Sequence, residues 1–186
     1  SQPTRTNLHA LRNAARKETR ALAEERAKHP FDDIETAPLD YLPKAWSEPY
    51  GTLQDTVYEV YDLQAIRIDG AAEHPTALVQ SAAMASVPPP VPSYRPVLPK
   101  TLVRDGLLSA PQLESVIYAG NAHETHLEGL FKRGEIEGQL IAAAEGDEGA
   151  FRLRKGWFLG DGTGCGKGRQ VAGIILDNWL QGVATR

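Results

Sequence analysis

A single cysteine, Cys165, occurs in the 186 residues, so no disulfide can form within the chain. Basic charge is not in excess. The formal charge is −4, which argues against the whole chain being a strongly cationic nucleic-acid platform but leaves room for a local basic surface. No apolar run approaches the roughly 18–20 residues of a membrane span, so no membrane partner is expected. Methionine is equally scarce. Met84 is the only one and the first residue is Ser1, from which we expect a processed or cut piece of a longer protein. Residues 1–17 contain no acid and hold Arg5, Arg12, Arg16 and Lys17, a weak likeness to a transit peptide. Glu18, Glu24 and Glu25 follow at once, so a charged surface helix is the simpler reading. What remains, 41% hydrophobic and 24% charged residues, fits a globular protein of one domain, or a small domain with extensions.

Along the chain, residues 6–29 read as a helix ended by Pro30, with a thin apolar stripe of Leu8, Leu11, Ala15 and Leu22. Residues 30–56 are turn-rich. Residues 57–61 and 65–68 are β-branched or aromatic runs and read as short strands. Residues 76–86 are mixed, and a short helix is expected there. Six of the thirteen residues from Val87 to Pro99 are proline, an extended strap without ladder bonds that leads into the next domain. Residues 109–126 read as a second helix, with Ser109 as N-cap and Gln112 three places on, the spacing of a capping box. Residues 127–150, rich in glycine and acids, read as a surface insertion with a short helix at 136–144. Gly156-Trp157-Phe158-Leu159 suits a buried strand. After the glycine loop that follows, Val171, Ile174, Ile175 and Trp179 mark the buried face of a helix. The expected organisation is an extension over 1–56, a small mixed segment over 57–100 and a nucleotide-binding domain begun at 101–186.

The chemistry lies in Gly160-Asp161-Gly162-Thr163-Gly164-Cys165-Gly166-Lys167-Gly168-Arg169. Phosphate needs closely spaced backbone N–H donors, and side chains block that approach. The glycines at 162, 164, 166 and 168 remove the obstruction and permit positive φ. The helix that follows directs its N-terminal partial charge at the anion, and Lys167 adds a full charge for the β- and γ-phosphates. Two positions depart from the usual P-loop: Asp161 replaces its first glycine, and Gly168 replaces the Ser or Thr whose hydroxyl binds Mg²⁺. Cys165 is either a loop-filling side chain or a thiol whose thiolate is favoured beside Lys167 and a helix N-terminus. His123 and His126 share a helix face with Glu128 close by, but the spacing is not that of a zinc helix and no metal ligand set is assigned.

The segment GWFLGDGTGCGKGRQVAGIILDNWLQG, from Gly156 to Gly182, resembles the P-loop segment of strawberry notch-like proteins, helicase-like NTPases of superfamily two. LSAPQLESVIYAGNAHE (Leu108–Glu124) and HPTALVQSAAMASVPPP (His74–Pro90) also look like theirs, so the resemblance covers roughly residues 57–182. Asp161 and Gly168 fit the family's own pattern, and the Asp-x-x-Gly-x-Gly-Lys core parallels motif I of Swi/Snf-type translocases. In that wider class a glutamine ahead of the loop reads adenine. Gln112 stands at the matching place, so adenine contact competes with simple capping. The spacing from Gln112 to Lys167 exceeds that of the class, and the insertion at 127–150 absorbs it at little cost.

The resemblance implies an α/β fold, the opening strand–loop–helix of a RecA-like core behind a mixed α+β extension. It implies an N-terminal piece of a DNA-acting, helicase-like ATPase that binds ATP with Mg²⁺. Lys167 would be the catalytic residue, and Gln112, Asp161, Gly162, Thr163, Gly164, Cys165, Gly166, Lys167, Gly168 and Arg169 would contact nucleotide. The wording looks like the bacterial type, which implies a cytoplasmic protein and methylase-associated or anti-restriction partners. Animal members are nuclear. Two other readings stand beside this one: a docking module with a relic loop, and a P-loop phosphotransferase of another class.

Overall fold

The computed structural model describes residues 14, 16–21, 34–47 and 57–182. They fall in two units, Ser1–Glu35 and Thr36–Arg186. In the first, residues 14 and 16–21 are helical and exposed; the rest of the helix expected over 6–29 lies outside the described residues.

The second unit mixes helices with small antiparallel sheets. Strand β1 (Thr36–Pro38) pairs with β6 (Val97–Pro99), and β2 (Leu42–Pro43) with β4 (Ile66–Arg67). Strand β3 (Tyr58–Val60) pairs with β5 (Val79–Ser81), and β7 (Leu130–Arg133) with β8 (Leu140–Ala143). The helices are α1 (Ala82–Ala85), α2 (Lys100–Arg104), α3 (Ala110–His123) and α4 (Lys167–Leu180). The runs at 57–61 and 65–68 do form strands. Residues 76–86, expected as one helix, divide between β5 and α1.

Helix α3 is the centre of the core. Its Leu113, Val116 and Ile117 are fully buried against Leu39, Tyr41, Ile66 and Leu98. Its start is as expected: Ser109 precedes it, Pro111 sits in the first turn, and Gln112 Oε1 accepts the Ser109 N–H at 3.0 Å. Gly120, near its end, is required by packing, since a Cβ there would lie 1.9 Å from the Tyr94 ring.

The proline-rich strap runs from 87 to 96 without a ladder and then enters β6. Prolines bring no N–H, so strap carbonyls need outside donors. Tyrosines supply them. The Tyr118 hydroxyl donates to Pro90 O at 2.8 Å, and the Tyr41 hydroxyl lies 2.9 Å from Tyr94 O and 3.1 Å from Pro92 O.

Three expectations are corrected. Residues 136–144 form no helix; β8 and β7 make an exposed hairpin, with Phe131 also bridging Phe151. Short apolar runs such as Leu140–Ala143 suit either structure, and pairing with β7 decides. Residues 156–159 are not a buried strand. They have no ladder partner among the described residues, and Phe158 is 88% exposed. The burial pattern still alternates, with Trp157 and Leu159 half-buried, so the segment is strand-like without a neighbour.

Third, helix α4 turns a different face inward. Val171, Ile175 and Trp179 are largely exposed, while Gln170, Gly173 and Asp177 are buried and Ile174 is half-buried. Gly173 permits close approach, because a Cβ there would stand 2.9 Å from Val116 Cγ2 and 3.1 Å from Leu108 Cδ1. The two polar residues are buried because partners are waiting for them. Asp177 accepts from the Tyr94 hydroxyl at 2.5 Å, the Val97 N–H at 2.7 Å and Gln181 Nε2 at 2.7 Å.

Replacing Asp177 by Ala strands several buried donors and should lower unfolding free energy by about 3 kcal/mol. Val171→Ala, on the exposed face of the same helix, should change it by less than about 0.5 kcal/mol. Urea titration of the two variants checks the contrast.

Candidate phosphate-binding site

The loop between residue 160 and α4 takes its shape from two glycines. Gly164 has φ +93° and Gly166 has φ +74°, ψ +40°, a left-handed conformation at the N-cap of α4. Gly166 also has no room for a side chain, since a Cβ would lie 2.3 Å from Gln112 Nε2. Gly162 and Gly168, by contrast, keep negative φ and face open space. The left-handed cap turns the chain so that Lys167 begins the helix. The Arg169 and Gln170 N–H groups already bond back to Gly166 O, at 2.9 and 3.2 Å. The first N–H groups of such a helix have no intrahelical partner and carry its positive partial charge, which suits them to an anion.

Side chains then brace the loop. Lys167 Nζ donates to Asp161 O at 2.7 Å and Gly162 O at 3.0 Å, spanning the loop from its end to its start. Gln170 Nε2 donates to Asp161 Oδ2 at 2.8 Å and Cys165 O at 3.2 Å. From α3, Gln112 Nε2 donates to the same Cys165 O at 3.1 Å. Gln112 is buried and both ends of its amide are used by the protein. Arg169 Nη1 lies 3.4 Å from Leu107 O, and Thr163 is exposed. Cys165 is half-buried within the loop. The structure therefore brings Gln112 and residues 161–169 together. The histidines do not join them. His123 O accepts from Arg154 Nε at 2.7 Å at the end of α3, its ring pKa lowered by burial and then by Arg154. His126 forms a backbone bridge with Arg154.

Beside the loop lies a cleft of about 500 Å³, lined by Asp161, Gly162 and Cys165, by Pro111 and Ser115 of α3, and by Tyr61 and Met84 opposite. A second, of about 400 Å³, shares Tyr61 and Asp161 with it and extends to Glu114, Tyr118, Trp157 and Pro88–Pro90 of the strap. Glu114 is a residue that pattern reading missed. It is buried on α3 and accepts a hydrogen bond from the Tyr61 hydroxyl. Burial pushes its carboxyl up to about 7, helped by Asp62 and Asp161 and opposed by the Tyr61 bond and Lys44. The Tyr61 hydroxyl is raised in turn, first by its own burial and then by Glu114.

A left-handed glycine cap and a lysine opening the helix are features of a phosphate-binding loop. The chain belongs to the family described as P-loop containing NTP hydrolase pore-1, which matches residues 73–185, and to its strawberry notch-like members. It is 40% identical over 109 residues to the protein strawberry notch homolog of Caenorhabditis elegans, covering 59% of this chain and 5% of that one. It is 36% identical over 115 residues to the human protein strawberry notch homolog 1, covering 62% of this chain and 7% of that one. Protein FORGETTER 1 of Arabidopsis thaliana is 35% identical over 109 residues, covering 59% of this chain and 7% of that one. The chain thus spans only a small part of the length of these relatives. No solved structure matches it. Among the described residues, no helix is long and apolar enough to cross a membrane.

The Glu114 carboxyl gives the fold a signed pH dependence. Its folded pKa lies above the ordinary 4.5, so between about pH 4.5 and about 7 the folded state holds a proton that the unfolded state has lost. Its contribution is full below that window and falls as pH rises through it, by up to roughly 3 kcal/mol. Glu114→Gln should remove this component and leave the variant the more stable protein above pH 7. Urea unfolding of both proteins from pH 5 to pH 8 measures the difference.

Proposed function

We propose that this chain binds ATP through residues 160–169, as the opening part of a helicase-like ATPase that acts on DNA. The observation that carries the reading is Gly166. It is left-handed, backed by Gln112, and sets Lys167 at the head of α4. Family membership and the motif segments that resemble helicase-like members support the rest. On phosphate binding, Lys167 would exchange the carbonyls of Asp161 and Gly162 for an anionic partner, a stronger charge-assisted bond. In this reading the N–H groups of Gly164 to Gly168 line the phosphate, and Thr163 and Arg169 flank it.

Mg²⁺ accompanies such nucleotides, but the side chains here suit it poorly. Gly168 stands where the usual loop offers a hydroxyl, and the Asp161 carboxylate is bonded by Gln170. The only acid after Lys167 is Asp177, which is committed to Tyr94 and Val97. We therefore derive no step through the metal. A relic loop in a docking module is the second reading, favoured by the two carbonyls that already engage the Lys167 ammonium.

Calorimetric titration with ATP separates the readings. Lys167→Ala should weaken binding at least about tenfold, since one charge-assisted contact is worth roughly 1.5–3 kcal/mol. Equal binding by wild type and variant, or none by either, would favour the relic loop. Steady-state phosphate release by this chain should stay below about 1 s⁻¹ at saturating Mg-ATP, because among the described residues no cluster of carboxylates is placed to hold the metal.

Both ends of the Gln112 amide are already engaged, one by the Ser109 N–H and one by the Cys165 carbonyl of the loop, which favours a supporting role over base reading. Gln112→Ala should then weaken ATP and GTP by similar factors. Selective loss of ATP would restore the adenine contact.

A further inference from the structure

Residues 162–168 include four glycines, and glycine has the most backbone freedom to lose on ordering. Such a loop binds phosphate well only if it is ordered beforehand, because freedom lost at the moment of binding weakens affinity. The structure supplies the ordering from below. Gln170 is 1% exposed, and its Nε2 lies between the Asp161 carboxylate, at 2.8 Å, and the Cys165 carbonyl, at 3.2 Å. Asp161 stands near the start of the loop and Cys165 near its end, so one amide ties both shoulders. Its Oε1 is buried and has no hydrogen-bond partner among the described residues. Packing alone does not call for this residue. A leucine would fill the site without stranding an acceptor, and positions that break a local rule without a packing gain are where function is to be sought.

We propose that Gln170 is a positioning residue of the phosphate loop. It holds Asp161 and Cys165 at a fixed separation, so that the backbone N–H groups between them converge before any nucleotide arrives. Gln112, from α3, fixes the same carbonyl against the neighbouring helix. The proposal rests on reading residues 160–169 as a phosphate loop, and its test carries one arm that needs no nucleotide.

That arm is Cys165. It is the only cysteine in the chain, so its alkylation by iodoacetamide reports on the loop without added labels. Gln170→Leu keeps a similar volume and removes the donor. In the nucleotide-free 186-residue chain it should speed Cys165 alkylation at least about fivefold while the urea midpoint holds or rises, because an orphan acceptor has gone. ATP affinity by calorimetry should fall at least about fivefold. Asp161→Ala breaks the same tie from the exposed side, so it tests the proposal even if the leucine variant folds poorly. It should give the same two effects, and the double variant should add little to either single one. An unchanged alkylation rate in both single variants, or a faster rate matched by a lowered urea midpoint, would overturn the proposal. Faster alkylation with unchanged ATP affinity, in a protein whose Lys167→Ala variant does lose ATP, would overturn the positioning role alone. If Lys167→Ala binds ATP as well as wild type, the phosphate-loop reading fails and the positioning role with it, while the alkylation arm still decides whether the tie exists.

Discussion

The spacing between α3 and α4 is fixed by a side chain that is absent. At Gly173 even a methyl group would press on Val116 and Leu108, so α4 lies closer to α3 than any other residue there would allow. Only at that spacing does Gln112 reach the Cys165 carbonyl at 3.1 Å, near the far end of the N–H···O range. A retreat of about 1 Å by α4 would break the bond. The same closeness puts the Gln112 amide where a Cβ of residue 166 would stand. Gly166 is thus constrained twice, by its left-handed backbone and by its neighbour, and the second constraint traces to the helix contact about two turns below it.

Helix α4 also joins two parts of the structure that are far apart in sequence. Its buried face reads Gln170, Gly173, Asp177 from top to bottom. Gln170 engages the loop, Gly173 seats the helix, and Asp177 receives the Tyr94 hydroxyl and the Val97 N–H from the end of the strap. Tyr94 is itself pinned against Gly120 of α3. The strap, which cannot form a ladder of its own, is therefore held by side chains at its carbonyls and by a carboxylate at its exit. The loop and the end of the strap are thus both held by this one helix.

These relations explain what could be read from the sequence and what could not. The phosphate loop was legible because its glycines and lysine are local requirements, met within ten residues. The start of α3 was legible for the same reason, since Ser109, Pro111 and Gln112 act on one another. The inward face of α4 was not. Apolar periodicity picked Val171, Ile175 and Trp179, and it cannot register that Gln170 and Asp177 have partners nine residues back and some eighty residues back in the chain. A buried polar residue becomes favourable only through such partners. Glu114 was missed on the same ground, because its donor Tyr61 lies in an element that sequence alone placed in another segment. The insertion was recognised as surface from its glycines and acids, but its hairpin depends on a register between β7 and β8 that composition does not encode.

The segment at 156–159 separates local preference from tertiary consequence. Its residues alternate in burial as a strand does, and Phe158 faces out where a buried strand would have placed it against a neighbour. The alternation in burial is realised and the ladder is not, since a ladder requires a second strand. The loop that follows nevertheless keeps its shape. Among the described residues, the side-chain hydrogen bonds that brace it come from helices: Gln112 from α3, and Lys167 and Gln170 from α4. Positive φ at Gly164 and Gly166 is likewise set at the helix end of the loop. The loop geometry is accordingly organised from its helical side, and the segment ahead of it can lack a partner without the loop losing its form.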